Sequence, residues 1–155
     1  MTNQFWDFSL ATYAHEQVAE GLLAMQEECG LDVNVLLYAC WLASKNVKLT
    51  LGHLEALETH IVQWHRRVVL PLRKLRQELR NYSPANMLRD DIKALELRSE
   101  HRQQDLMWSF YLSADALPVG KRPLEGNLNL IYGSIEVNTA MRRKLLLSLG
   151  RSIGA

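Results

Sequence analysis

A continuous apolar segment from Val33 to Ala43 dominates the pattern of hydrophobic and polar positions along this chain. Its one polar residue is Asn34. A helix that is apolar on every side must be buried on every side. The segment has 11 residues, whereas a helix that crosses a bilayer needs about 20. The pattern therefore predicts a buried central helix over residues 32–45, with Asp32 as its N-cap.

Helical periodicity extends over the rest of the chain, and no segment shows the sustained alternation of a β-strand. A first helix is predicted from Thr2 or Asn3, both good N-caps, to near Cys29. Gly30 then fits the left-handed C-cap position. Together the segments predict an all-α fold, an antiparallel bundle of about five helices around the buried central helix.

A stripe of apolar residues that recurs every three or four positions runs from Leu54 to Leu79. It predicts a long third helix that starts at Thr50 and ends at Asn81. Pro71 lies within the stripe. Because the stripe keeps its phase across this proline, we predict one kinked helix rather than two separate helices.

The second half of the chain predicts two further helices and a loop. Ser83 and Pro84 have the character of an N-cap and a first helical residue, so they open a fourth helix. The polar tract from Glu96 to Asp105 is either a solvent-exposed helical middle or a break. Residues 114–126 are rich in proline and glycine and predict a loop. The last helix is predicted from near Asn127 to residue 150.

Size and composition indicate an ordinary globular protein. The chain has 155 residues, of which 48% are hydrophobic and 23% charged, and this predicts one domain over residues 1–155. Cys29 and Cys40 form no C-x-x-C pair, which favours a reduced intracellular protein over a disulfide scaffold. The N-terminus lacks the features of a signal peptide. We expect a cytoplasmic protein without a membrane span.

The sequence lacks the common motifs for catalysis, metal binding and phosphate binding. None of the five histidines follows a glutamate by three residues or belongs to a His-Glu-x-x-His motif. His53 and His60 are seven residues apart, which is about 10 Å along a helix and too far for one metal ion to bind both. We predict no catalytic residue, no metal and no cofactor.

The most basic part of the chain lies in the third helix. Residues 66–80 contain six basic residues and one acid, Glu78, so this segment has a net charge of +5. The six are Arg66, Arg67, Arg73, Lys74, Arg76 and Arg80. A cationic face of this kind can contact phosphates of a nucleic acid. The whole chain is nearly neutral and carries no nucleic-acid-binding motif, so we favour a solvated face that pairs with the acidic first helix or with Asp90 and Asp91.

A second candidate site lies on one flank of the third helix. His53, His60 and Arg67 share that flank, with Trp64 at its edge. These residues can line a groove for an anionic small molecule or an acidic peptide. The alternative is a helix boundary where polar tips meet solvent while Trp64 packs inward.

Two segments carry a resemblance to a known family. The first is Phe-Trp-Asp-Phe-Ser-Leu-Ala-x-Tyr at residues 5–13. The second is Leu-Asp-Val-Asn-x-Leu-Leu-x-x-Cys-Trp-Leu-Ala at residues 31–43. The chain resembles an uncharacterised family of small all-helical proteins from proteobacteria, a domain of unknown function. The resemblance implies a bacterial cytosolic protein with an all-helical fold, and it implies no activity, cofactor or site residue.

The leading hypothesis is a non-enzymatic all-α interaction or adaptor module, which binds a protein partner or itself through an exposed helix face with aromatic and basic residues. One alternative is a helical bundle or small enzyme with a small-molecule pocket near His53, His60, Trp64 and Arg67. The second alternative is nucleic-acid association through the segment from Arg66 to Arg80.

Overall fold

The computed structural model describes residues 2–82, 84, 86–133 and 135–154. These residues form helices joined by short connections, and in this part of the chain the only strand-like feature is an isolated bridge between Val47 and Val119. The predicted all-α class is confirmed.

The α-helices in chain order are α1 (Gln4–Tyr13), α2 (Glu16–Cys29), α3 (Val33–Ser44), α4 (Leu51–Trp64), α5 (Leu70–Glu78), α6 (Asn86–Ser113), α7 (Leu124–Tyr132) and α8 (Thr139–Ile153). A π-helical segment, His65–Val69, joins α4 to α5, and a 3₁₀ turn, Leu79–Asn81, follows α5.

The helices divide into two compact units. Unit 1 consists of Met1–Glu55 and Ala114–Ala155, and unit 2 is Ala56–Ser113. The boundary between them falls within α4. The prediction of a single domain over residues 1–155 stays a prediction.

The predicted central helix is α3, which is the core of unit 1. Every residue from Asn34 to Ala43 is buried, and α3 packs against α1, α2, α7 and α8. Asp32 is its N-cap, as predicted, because the carboxylate accepts a hydrogen bond from the backbone N–H of Asn34 at 2.9 Å. A helix with no polar face is stable here because other helices of the unit cover it on all sides.

Asn127 of α7 binds the connection that follows α3. It is buried, and its Oδ1 accepts a hydrogen bond from the Leu49 N–H at 2.8 Å. Its Nδ2 donates to the carbonyl oxygens of Ala39 at 3.2 Å and Val47 at 3.0 Å. The side-chain amide of Asn127 therefore makes hydrogen bonds with three backbone groups. These bonds hold α7 against α3 and against the connection that follows α3.

Two predicted helices of unit 1 are each divided in the structure. The first ends at Tyr13, and the extended backbone of His15 (φ −77°, ψ 113°) starts α2. The last divides at Gly133, whose positive φ of 52° ends α7 before α8 begins at Thr139. In both cases a local backbone conformation ends one helix before the next begins.

Helical backbone from Leu51 to Asn81 confirms the prediction of one long helix through Pro71. The π-helical segment immediately precedes the proline, and the Leu70 N–H bonds the His65 carbonyl five residues back. Pro71 has no N–H, and in α-helical geometry its ring would clash with the carbonyl four residues back. A wider π turn at this position fits the ring within a continuous helix.

Helix α6 forms a hairpin with the long helix in unit 2, since α5, the π-helical segment and the 3₁₀ turn all contact it. The predicted N-cap Ser83 lies outside the described residues, and α6 begins at Asn86. The tract from Glu96 to Asp105 is helical, so it is not a break. It is not a solvent-exposed middle either, because Glu96, Ser99, Gln103 and Gln104 are buried. They are buried on one face, where polar groups of the long helix pair with several of them.

We expect Asn127→Ala to lower the free energy of unfolding by about 2–3 kcal/mol, since it leaves a buried backbone N–H and two carbonyl oxygens without this partner. Urea unfolding monitored by circular dichroism measures the change. Asn129→Ala removes an exposed amide from the same helix and should change stability by less than about 0.5 kcal/mol. Equal stability of the two variants would contradict the bridging role of Asn127.

Candidate functional site

His53, one of the four residues of the predicted groove, belongs to the core of unit 1. Its Nε2 lies 2.7 Å from the hydroxyl oxygen of Tyr38, and the two rings are stacked with centroids 5.8 Å apart. Burial lowers the pKa of His53 below its ordinary value, because a desolvated imidazolium is disfavoured. A neutral ring bound to a fully buried tyrosine is a structural feature of this core.

The other three residues of the predicted groove lie in unit 2. His60 is exposed, with its ring centroid 5.5 Å from that of Phe110. The indole N–H of Trp64 donates to the Ser99 carbonyl at 2.8 Å, so its polar edge is bound to α6. Arg67 is exposed. The groove as a binding site for an anion or acidic peptide stays a prediction.

A seam of polar side chains lies between the long helix and α6. Arg73 Nε lies 3.1 Å from Glu96 Oε1, and Arg73 Nη2 lies 2.9 Å from Glu100 Oε1. Arg76 donates from Nε and Nη2 to the two carboxylate oxygens of Glu96. Further along the hairpin, His65 Nδ1 lies 2.9 Å from the side-chain amide oxygen of Gln103 on α6. We call the set of Trp64, His65, Arg73, Arg76, Glu96, Ser99, Glu100 and Gln103 the polar seam.

Glu96 is the centre of the polar seam. Its side chain is only 8% exposed, and those of Arg73 and Arg76 are 12% and 15% exposed. Burial by itself raises the pKa of Glu96, but hydrogen bonds and positive charge from Arg76 and then Arg73 outweigh burial and hold the pKa below its ordinary value. The carboxylate is therefore ionised between two arginines, and removal of one partner would leave an unpaired buried charge.

The seam changes the charge of the predicted cationic face. Arg73 and Arg76 bind Glu96 and Glu100, and these acids differ from the predicted partners on the first helix and at Asp90 and Asp91. The exposed cations of the segment are Arg66, Arg67, Lys74 and Arg80. Nucleic-acid association through this segment stays a prediction, with two fewer charges available for phosphate contacts.

Large apolar side chains lie on the outside of the same hairpin. Between Leu70 and Leu95, none of the residues that the structure describes is buried. Met87 is 84% exposed and Leu88 54%. We call the exposed residues Leu75, Tyr82, Met87, Leu88 and Leu95 the hairpin surface. Leu72, Leu79 and Ile92 are half-buried here, but Glu96 is buried more deeply than any leucine of the segment, which is the reverse of an ordinary helical hairpin.

A single-sequence pattern contained part of the signal for the seam. Arg73 and Arg76 are three residues apart, and Glu96 and Glu100 are four apart, so each pair shares a helix face. The arginines lie 6 and 9 residues before Tyr82 and the glutamates 14 and 18 residues after it, so the distance from this turn does not by itself place the two pairs opposite each other. The sequence also left open whether the helix continues through Glu96, and the structure shows that α6 does.

A concave cavity of about 300 Å³ lies between α7 and α8 in unit 1. It is lined by Arg142 and Arg143 of α8 and by Tyr132 of α7. None of these residues is part of the groove or the cationic segment that the sequence singles out. No local motif marks them, because the cavity depends on how the two helices approach each other.

These features define an all-helical protein with a hairpin that carries a buried polar seam. The chain belongs to the family DUF2390, described as a protein of unknown function, whose model matches residues 4–107. The match includes α3 and the polar seam and ends before α7 and α8. No curated protein and no solved structure matches the chain.

Within the described ranges, no three or more His, Cys, Asp or Glu side chains are grouped so that they can hold a metal ion. No helix in those ranges is both long enough and apolar enough to cross a membrane.

We expect Glu96→Gln to destabilise the protein by about 3 kcal/mol, because it leaves two mostly buried arginines without a countercharge. Urea unfolding and faster amide hydrogen exchange in α6 report the loss. A triple variant, Arg73→Met with Arg76→Met and Glu96→Met, should recover most of the stability, because it removes all three charges. Asp90→Asn removes an exposed carboxylate from the same helix and is the control. Wild-type stability of Glu96→Gln would contradict the central role of this carboxylate.

The pH dependence of stability gives an independent test. Because the folded pKa of Glu96 lies below its ordinary value of 4.5, the unfolded chain takes up this proton first as pH falls. The stabilisation is therefore complete well above pH 4.5 and is lost as pH falls through the folded pKa. The difference in unfolding free energy between wild type and Glu96→Gln should therefore become smaller as the pH falls below 4.5. A difference that is independent of pH would show that the ionised carboxylate contributes nothing.

Proposed function

We propose that this protein is a non-enzymatic helical interaction module whose hairpin surface associates with a second copy of the chain. The observation that carries the proposal is the reversal in unit 2, where charged side chains lie between the helices and leucines lie outside. Large apolar side chains clustered at a surface are typical of protein interfaces.

The energetics of the hairpin support association. Full burial of a leucine or methionine side chain contributes about 1.5–3 kcal/mol. In a single chain the side chains of Met87, Leu88 and Leu95 contribute much less than this, since all are more than two-fifths exposed. A partner that covers them would recover it.

The shape of the surface favours a second copy as the partner. Two helices form one layer, and a domain needs a second layer against its apolar face. Another two-helix hairpin would complete a four-helix bundle. A two-fold dimer would place the same residues of both chains against each other.

Charge on the hairpin is compatible with self-association. Outside the seam, residues 74–93 carry Lys74, Arg80, Arg89 and Lys93 against Glu78, Asp90 and Asp91. Four basic and three acidic residues leave a net charge of +1, so two copies would meet with little like-charge repulsion.

The proposal includes a cytoplasmic setting in a proteobacterium. The proteobacterial origin rests on the resemblance of residues 5–13 and 31–43 to the family. Support for a reducing compartment comes from Cys29 and Cys40, which are both free thiols. The alternative functions, a pocket near His53, His60, Trp64 and Arg67 and a nucleic-acid face from Arg66 to Arg80, gain no comparable support.

Sedimentation velocity over a range from about 5 to 200 µM tests the proposal, because a dimer dissociates on dilution by mass action. We expect wild type to shift from monomer to dimer across this range. Leu88→Glu with Leu95→Glu places two charges on one face of α6 and should weaken dimerisation by more than about tenfold. Leu147→Glu, at a leucine of similar exposure on α8, should behave as wild type.

A monomer at every concentration would overturn self-association. The proposal would also be contradicted if Leu147→Glu disrupts dimerisation and the double variant Leu88→Glu with Leu95→Glu does not. That result would place the interface on unit 1.

A further inference from the structure

Arg142 of α8 is a partly buried cation without an acidic partner. Its guanidinium group lies over the Tyr132 ring, 4.6 Å from the ring centroid, and its Nη2 donates to the Ile135 carbonyl at 3.3 Å. Among the described residues, no carboxylate forms an ion pair with it. Buried or partly buried charges are ordinarily paired, so this position is suited to an anion from outside the chain.

Two buried polar atoms at the same place have no hydrogen-bond partner within the described part of the chain. They are the Arg142 Nε and the Tyr132 hydroxyl oxygen. Tyr132 is only 2% exposed, and burial first, together with nearby Cys40, raises its pKa to about 12. The tyrosine is therefore a neutral phenol, and it adds no negative charge to neutralise Arg142.

These residues line the α7–α8 cavity of about 300 Å³. Arg143, Asn129 and Thr139 add exposed polar groups to its lining. Leu128 and Leu146 add apolar surface. The volume is at the lower end of the range for small-molecule sites, and an apolar wall with a few polar groups is typical of such sites.

The charge of the lining indicates the class of ligand. Arg142 and Arg143 carry two positive charges, and Glu125 carries one negative charge, which leaves +1. A single carboxylate would neutralise that charge, whereas a phosphate dianion would exceed it. Arg142 also presents the planar donors that bind carboxylate oxygens in pairs.

We propose that the α7–α8 cavity binds a small organic monocarboxylate, with its carboxylate on Arg142 and Arg143 and its apolar part against Leu128 and Leu146. This site lies in unit 1 and is independent of the hairpin surface, so it adds a ligand to the proposed interaction module and does not depend on self-association.

Titration of ¹⁵N-labelled protein with benzoate, hexanoate, benzamide and inorganic phosphate tests the proposal. We expect saturable amide shifts that concentrate in α7 and α8 for at least one of the two carboxylates. Benzamide has the shape of benzoate without its charge, and it should bind at least about tenfold more weakly because it loses the charge-assisted hydrogen bonds. Phosphate should bind more weakly than the better carboxylate.

Arginine variants locate the carboxylate. Arg142→Gln should weaken binding of the better carboxylate by about tenfold or more, and Arg143→Gln should weaken it less. Lys144→Gln removes an equal charge from an exposed position next to the cavity lining and should bind as wild type. Circular dichroism establishes whether each variant is folded. If Arg142→Gln does not fold, the comparison of carboxylate binding by Arg143→Gln and Lys144→Gln decides the question.

Three results would overturn the proposal. The first is that neither carboxylate shifts α7 and α8 on titration, the second is that benzamide binds as well as benzoate, and the third is that Lys144→Gln weakens binding as much as the arginine variants do. Tighter binding of phosphate than of either carboxylate would overturn the assigned ligand class.

Discussion

The buried carboxylate of Glu96 is the interaction on which the hairpin of unit 2 depends. Two arginines of the long helix surround it, and neither can lose it without a large desolvation cost. Charged groups occupy space between the helices that apolar side chains ordinarily fill. Leu88 and Leu95 remain outside, half exposed. The buried acid therefore links the two helices, and the leucines outside form the apolar surface that we propose as an interface.

Unit 1 has an apolar centre instead, and for this reason its central helix was predictable. The helix α3 is apolar all round, and a local pattern of this kind has one physical solution, burial on every side. Continuity of the long helix through Pro71 was also predictable, because the apolar stripe keeps its phase. The division at His15 was missed, although the buried positions before and after it would lie on different sides of a single helix. A break of this kind depends on how the flanking segments pack.

The candidate sites were less predictable than the fold, because they depend on partners distant in the chain. Glu96 bonds Arg76, twenty residues away, and a polar tract read by itself looks solvent-exposed. His53 was predicted to line a groove, but its hydrogen bond with Tyr38 places it in the core of unit 1. Arg142 carries no signal in sequence, since a charged residue on an amphipathic helix ordinarily faces solvent. Only the approach of α7 to α8 brings it over the Tyr132 ring and partly buries it.

Amide hydrogen exchange as a function of protein concentration tests the central claim most directly, namely that the polar interior of the hairpin leaves an apolar exterior for a second copy. If the account is right, protection of residues 86–97 increases with concentration, while protection of α3 stays constant because its burial is complete within one chain. Exchange of residues 86–97 that is the same at low and high concentration would contradict it.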